Sequence, residues 1–109
     1  MNEVVRSMAN LLEDKHAKDI EIFEVGAAHP MFDNVIVASV DVSRNLEAII
    51  SEVKKFEKEG KIDVKAYDVN NKEWVLIDLY DVMIHVMVKD ARHHYDLDSI
   101  LAEYVERSK

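Results

Sequence analysis

The chain of 109 residues has no cysteine, one proline and two glycines. Without thiols there are no disulfide staples, thiolate nucleophiles or thiolate metal sites. With only Gly26 and Gly60, far apart, no glycine-rich phosphate loop can be assembled. Long apolar runs are missing too, none approaching the ~20 residues of a membrane span. The start, Met1-Asn2-Glu3-Val4-Val5-Arg6, resembles neither a signal peptide nor an Arg/Ser-rich organelle presequence. These absences point to the cytosol. Basic residues are scarce: 14 Lys and Arg face 22 Asp and Glu, a formal net charge of -8. Such a surface repels phosphate, so direct binding of DNA or RNA is not expected.

What is present is a core. Apolar residues make up 49% of the chain, too many for a disordered segment, and the length suits one domain over residues 1–109. Val4, Val5, Met8, Leu11 and Leu12 fall at helical spacing, with Asn2 placed as a cap. Asp19 to Val25 alternates like a strand, Gly26 to Asp33 reads as a loop, and Asn34 to Val40 is a short apolar run of the buried-strand kind. Asp41 or Ser43 can cap a helix striped by Leu46, Ile49, Ile50, Val53 and Phe56, with Gly60 at its C-terminal end. Ile62 to Tyr67 reads as an exposed strand, and Asn70-Asn71 as a turn. Two β-rich runs from Glu73 to Val88 flank Tyr80-Asp81, as in a hairpin; a helical turn at Ala91–Tyr95 and a final helix capped by Asp96 follow. The order α-β-β-α-β-β-β-α-α predicts an α/β fold with helices on one mixed central sheet.

The hairpin is the informative part. A two-residue loop at Tyr80-Asp81 pairs Leu79 with Val82, Ile77 with Ile84 and Val75 with Val86, an entirely aliphatic face. The opposite face carries Trp74, Leu76, Asp78, Met83, His85 and Met87, a mixture a buried core does not usually show. Either a helix of the same chain covers that face, with Asp78 and His85 at its rim, or part of it stays open and binds another macromolecule. From Glu73 to Glu106 eight acidic residues stand against two basic ones, so the charge excess is concentrated here. Runs of this kind usually mean no more than a solvated face.

No catalytic set emerges. Asp78 with Asp81, and Asp96 with Asp98, are paired carboxylates, but spacing alone does not bring them together in a cleft. Adjacent His93 and His94 point in different directions on a helix, and no His-Glu-x-x-His spacing occurs, so no metal is expected. Ser39 and Ser43 lack a nucleophile elbow.

Trp74-Val75-Leu76-Ile77-Asp78-Leu79-Tyr80-Asp81-Val82-Met83-Ile84-His85 resembles the signature of the ribosomal silencing factor (RsfS, or Iojap) family. Ala91-Arg92-His93-His94-Tyr95-Asp96-Leu97 resembles its second block, and Val35–Ser39, Arg44 and Ala48-Ile49 follow in register. The resemblance implies a nucleotidyltransferase-like fold without catalytic residues. It also implies a homodimer without cofactor that binds the large ribosomal subunit through ribosomal protein L-fourteen and keeps the small subunit from joining. The implied binding surface is built around Trp74, Asp78, Asp81 and His85, supported or extended by Arg92, Tyr95, Asp96 and Leu97. Tyr80 departs from the family pattern, standing where the hairpin glycine is usual, so the turn either changes geometry or presents an extra aromatic. The residues after Ser39 (Val40, Asp41, Val42) depart as well. Two other readings stay open: a small nucleotidyltransferase-like enzyme, against which stands the lack of an Asp-x-Asp at a strand end, and an acidic homodimeric adaptor for another basic protein.

Overall fold

The computed structural model describes residues 3–26 and 31–108, with side chains described to residue 105. The elements are α1 (Glu3–Asp14), β1 (Lys18–Glu24), β2 (Asn34–Val40), α2 (Ser43–Lys58), β3 (Ala66–Asn70), β4 (Trp74–Asp78), β5 (Val82–Val88), α3 (Lys89–Tyr95) and α4 (Leu97–Ser108). This is the expected α/β order. The sheet order is β1-β2-β5-β4-β3, with β2 and β5 parallel at the centre and every other pair antiparallel. Residues Val35 to Val40 are all buried, the pattern of a strand covered on both faces.

Alternation of side chains across the strands divides the interior into two cores. One lies between the sheet and α1 and α2, where Val5, Met8, Leu46, Ile49 and Val53 meet Ile36, Ala38, Val75, Ile77, Ile84 and Val86. The other lies under α3 and α4, where Val35, Val37 and Met87 meet Ala91 and Leu101. The β4–β5 register matches the reading from the sequence: Val75 faces Val86, Ile77 faces Ile84, and Leu79 donates its N–H to the Val82 carbonyl at 2.9 Å.

Local chemistry sets the ends of the elements. After α2, Gly60 takes φ 76°, its N–H bonding to the Glu57 carbonyl and that of Lys61 to the Phe56 carbonyl. This pair of hydrogen bonds satisfies two end carbonyls, in the left-handed conformation glycine adopts at least cost. At the start of α2 the expectation fails. Neither Asp41 nor Ser43 caps the helix: the N-cap is Val42, without a side-chain hydrogen bond. Lys18, 2.8 Å away, holds the Asp41 carboxylate, and Ser43 is already the first helical residue. The expected strand over 62–67 is displaced to 66–70. Asn71 and Lys72 both have positive φ and the Glu73 N–H bonds to the Asn70 carbonyl, so pairing starts at Asn70–Trp74 and its five rungs reach back only to Ala66. Ile62 is buried among core residues. Tyr67 is held against α2 by a hydrogen bond to Glu57 at 3.2 Å, and desolvation beside that carboxylate pushes its hydroxyl up to about 12. Asn2 as a cap, and Pro30 within the β1–β2 loop, lie outside the described residues.

The core is sensitive and edge strand β3 is not. Ile84→Ala, at the middle of the central pair, is expected to lower the unfolding free energy by about 2–5 kcal/mol. Val69→Ala, exposed on β3, should stay within about 0.5 kcal/mol. Urea denaturation of both variants checks the contrast.

Candidate functional site

The mixed face of the hairpin is partly covered and partly open. α4 packs on β1, and α3 packs on β2 and β5. Met87, next to β2 and beneath these helices, is therefore fully buried. Trp74, Leu76, Asp78, Met83 and His85 are half-buried, and Leu76 belongs to neither core. The helices thus cover the face over Met87 and leave it open over β4.

Register sets out the open half in rows. Trp74 lies between Met87 and Asn70, Leu76 between His85 and Asp68, and Asp78 between Met83 and Ala66. Asn70, Asp68 and Ala66 are exposed. The strip is thus an apolar band with a carboxylate edge. The expected strand over 62–67 leaves Asp68 off this edge; the Asn70-Asn71 turn is the sequence signal that pairing runs back from Asn70 through Asp68.

Trp74 organises one end. Its indole N–H donates diagonally across the hairpin to His85 Nδ1 at 3.0 Å, and its ring lies 4.9 Å from that of Tyr95, which is 5.2 Å from that of His94. Because Nδ1 accepts a hydrogen bond, the neutral imidazole carries its proton on Nε2. Burial pulls the His85 pKa down to about 4, so the ring is neutral near pH 7. Tyr95 is exposed and extends the aromatic surface.

At the other end, Asp78 Oδ1 accepts the backbone N–H of Tyr80 at 2.9 Å, while Asp81 is exposed. Tyr80 keeps the left-handed backbone that a glycine would supply, with φ 73°, and the Asp81 N–H bonds back to the Leu79 carbonyl at 3.0 Å. This three-residue γ-turn is a strained form, and a side chain at positive φ costs roughly 1–2 kcal/mol. At this position the turn presents an exposed aromatic ring.

The rest of the second block flanks the strip on the same face. Arg92 holds Asp98 in a two-point pair at 2.8 and 3.1 Å, donates to Ser39 Oγ at 2.9 Å and reaches the Asp19 carbonyl. Hydrogen bonding to Asp98 raises the guanidinium pKa further. Asp96, with φ 49°, is the left-handed junction between α3 and α4, and its carboxylate accepts Ser99 Oγ. Leu97 packs on the core under α4. Arg92, Asp96 and Leu97 therefore seat α3 and α4, and the structure does not bring them onto the open strip with Trp74, Asp78 and His85. A cleft of about 450 Å³ beside Arg92 is lined by Asp19, Ser39, Lys89, His93, Asp96 and Asp98, and the Arg92 guanidinium engages Ser39 and Asp98 there. No group of three His, Asp or Glu able to hold a metal occurs among the described residues.

Fold and strip together define a mixed α/β protein with a surface suited to macromolecular contact. The chain belongs to the RsfS family: the family model described as "Ribosomal silencing factor during starvation" matches residues 1–108. It is 31% identical to the ribosomal silencing factor RsfS of Chromobacterium violaceum over 101 residues, covering 92% of this chain and 83% of that protein. Identity to the Bacillus subtilis factor of the same name is 30%, over 89% and 83% of the two chains. Mouse "Mitochondrial assembly of ribosomal large subunit protein 1" is 25% identical over 85% of this chain and 42% of its own length. A crystal structure of a Chromobacterium violaceum protein superposes with a TM-score of 0.85 at 30% identity, covering 94% of this chain and 88% of that one. One from Bacillus halodurans gives 0.78 at 29% identity, over 90% and 92%.

His85 generates a pH prediction. Its folded pKa of about 4 lies below the ordinary 6.5, so between these values the unfolded chain binds a proton the folded chain refuses. Stability from this group is full above pH 6.5 and is lost as pH falls towards 4, by roughly 3 kcal/mol in all. Over that window His85→Gln should show a flatter stability profile than the native chain, by about one proton, in urea titrations at stepped pH.

Proposed function

We propose that this chain is a non-enzymatic translation repressor of the cytoplasm. Through the open strip it binds ribosomal protein L-fourteen on the large ribosomal subunit and blocks joining of the small subunit. Residues 1–109 act as one domain, as a homodimer and without metal or cofactor. The observation that carries the reading is the strip itself. Trp74, Asp78 and His85 of the hairpin signature lie along one sheet face that α3 and α4 leave open, and Asp81 lies at its tip. Membership of the silencing-factor family supports it, as does a mouse relative whose name concerns assembly of the large subunit.

Chemistry agrees. Ribosomal proteins are typically basic, and the carboxylates of Asp68, Asp78 and Asp81 edge an apolar band with Trp74 and Leu76 in it. Carboxylate acceptors steer a cationic surface and fix its register, while the half-buried aromatic and aliphatic band supplies affinity once covered. With a net charge of -8 the chain gains nothing from ribosomal RNA directly, so docking runs through protein. Occlusion needs no catalytic group. The nucleotidyltransferase-like alternative draws no support from the cleft, where Arg92 takes up the Ser39 and Asp98 side chains.

Leu76→Arg combined with Asp78→Lys alters the middle of the strip without touching either core. The double variant is expected to keep its circular dichroism spectrum and melting temperature within a few degrees, yet to lose co-sedimentation with large subunits on a sucrose gradient. Undiminished co-sedimentation would sink the surface. Migration with assembled ribosomes instead of free large subunits would sink the occlusion mechanism.

A further inference from the structure

We propose that Tyr80 is a contact residue of the docking surface, held at the hairpin tip to place its ring over a Lys or Arg side chain of the basic partner. The inference rests on the reading of the strip as a protein-docking site and adds a residue that the strip does not contain.

Three observations converge on this position. The first is conformational. Tyr80 sits at φ 73° in a γ-turn, a backbone that glycine adopts freely and a bulky aromatic avoids. A turn selected for stability alone would carry glycine here. The second is that the ring does nothing visible for the fold. It is 56% exposed, and neither ring nor hydroxyl makes a hydrogen bond or aromatic contact among the described residues; only the backbone N–H is engaged, by Asp78. Strain retained without an internal return, at an exposed point beside a binding surface, is the pattern of a functional position.

The third observation is the neighbourhood. Asp78 and Asp81 flank the ring in sequence, and the Asp81 carbonyl accepts the N–H of Asp33 at 2.9 Å, which brings the 31–33 segment alongside. Asp33 is exposed, and Met31 is 62% exposed two residues away. The tip therefore carries an exposed aromatic on a short stretch of backbone that also bears Asp78 and the exposed Asp81, with the exposed Asp33 bonded to it through the main chain. An ammonium or guanidinium group fits that combination, since the π-face and the carboxylates attract it together. An apolar partner would leave the carboxylates unpaired, and an acidic one would be repelled.

The experiment uses the full chain with three substitutions, Tyr80→Gly, Tyr80→Phe and Tyr80→Leu, each measured for melting temperature and for affinity to purified large subunits. Tyr80→Gly is expected to melt about 5 °C higher, as strain is released, and to bind at least ~10-fold more weakly. Tyr80→Phe, which keeps the π-face, should bind within about threefold of the native chain. Tyr80→Leu keeps the strain and loses the π-face, and should bind as weakly as the glycine variant. Native affinity in Tyr80→Gly overturns the proposal while leaving the strip intact. Native affinity in Tyr80→Leu overturns it as well, because loop stiffness and not the ring would then be responsible. Failure of the unsubstituted chain to bind large subunits overturns both this assignment and the docking reading beneath it.

Discussion

The structure depends on one constraint: the unslipped pairing of β5 with β2 on one side and with β4 on the other. Side chains in a strand alternate between faces, so a shift of one residue would exchange the aliphatic set for the mixed one. Ile77 and Ile84 would leave the core beneath α1 and α2, and Asp78 and His85 would enter it. Burying an unpaired carboxylate and an imidazole costs far more than the loss of a few methyl contacts. The register is therefore specified by what the wrong face would have to bury, and its consequence is that Trp74, Leu76 and Asp78 share one surface.

Arg92 decides how much of that surface is covered. A fully exposed sheet face with Val35, Val37, Met83 and Met87 on it would aggregate, and a fully covered one could bind nothing. By joining Asp98, Ser39 and the Asp19 carbonyl, Arg92 seats α3 and α4 over β1, β2 and β5, and the cover ends at β4. Tyr95, at the end of α3, closes the boundary by packing at a tilt against Trp74, whose indole in turn orients His85. An arginine that seats the helices and an exposed aromatic three residues on thus belong to different halves of one face.

The motif residues were legible in the sequence to different depths. Trp74, Asp78 and His85 were placed on one face by alternation alone, and the structure keeps them there. Arg92, Asp96 and Leu97 share the second block with Tyr95 but lie to one side, at the covered half of the same face, because the αL turn at Asp96 sends α4 back across the sheet and no spacing rule reports that direction. Asp41 and Ser43 illustrate the same limit: both are good caps by type, yet an ion pair with Lys18, 23 residues away in sequence, removes the first from competition.

By itself the sequence determined the element order, the hairpin register and the aliphatic core, since those follow from periodicities of two and 3.6 and from turn chemistry acting over a few residues. It also determined the acidic balance that disfavours nucleic acid. Only the tertiary structure decided how much of the mixed face stays open, that Asp68 of β3 joins it, and that Tyr80 keeps a glycine's backbone at the tip. Those outcomes depend on where α3 and α4 come to rest and on which strand pairs at the edge. They are set by contacts between residues distant in sequence, such as Arg92 with Ser39, which local pattern does not encode.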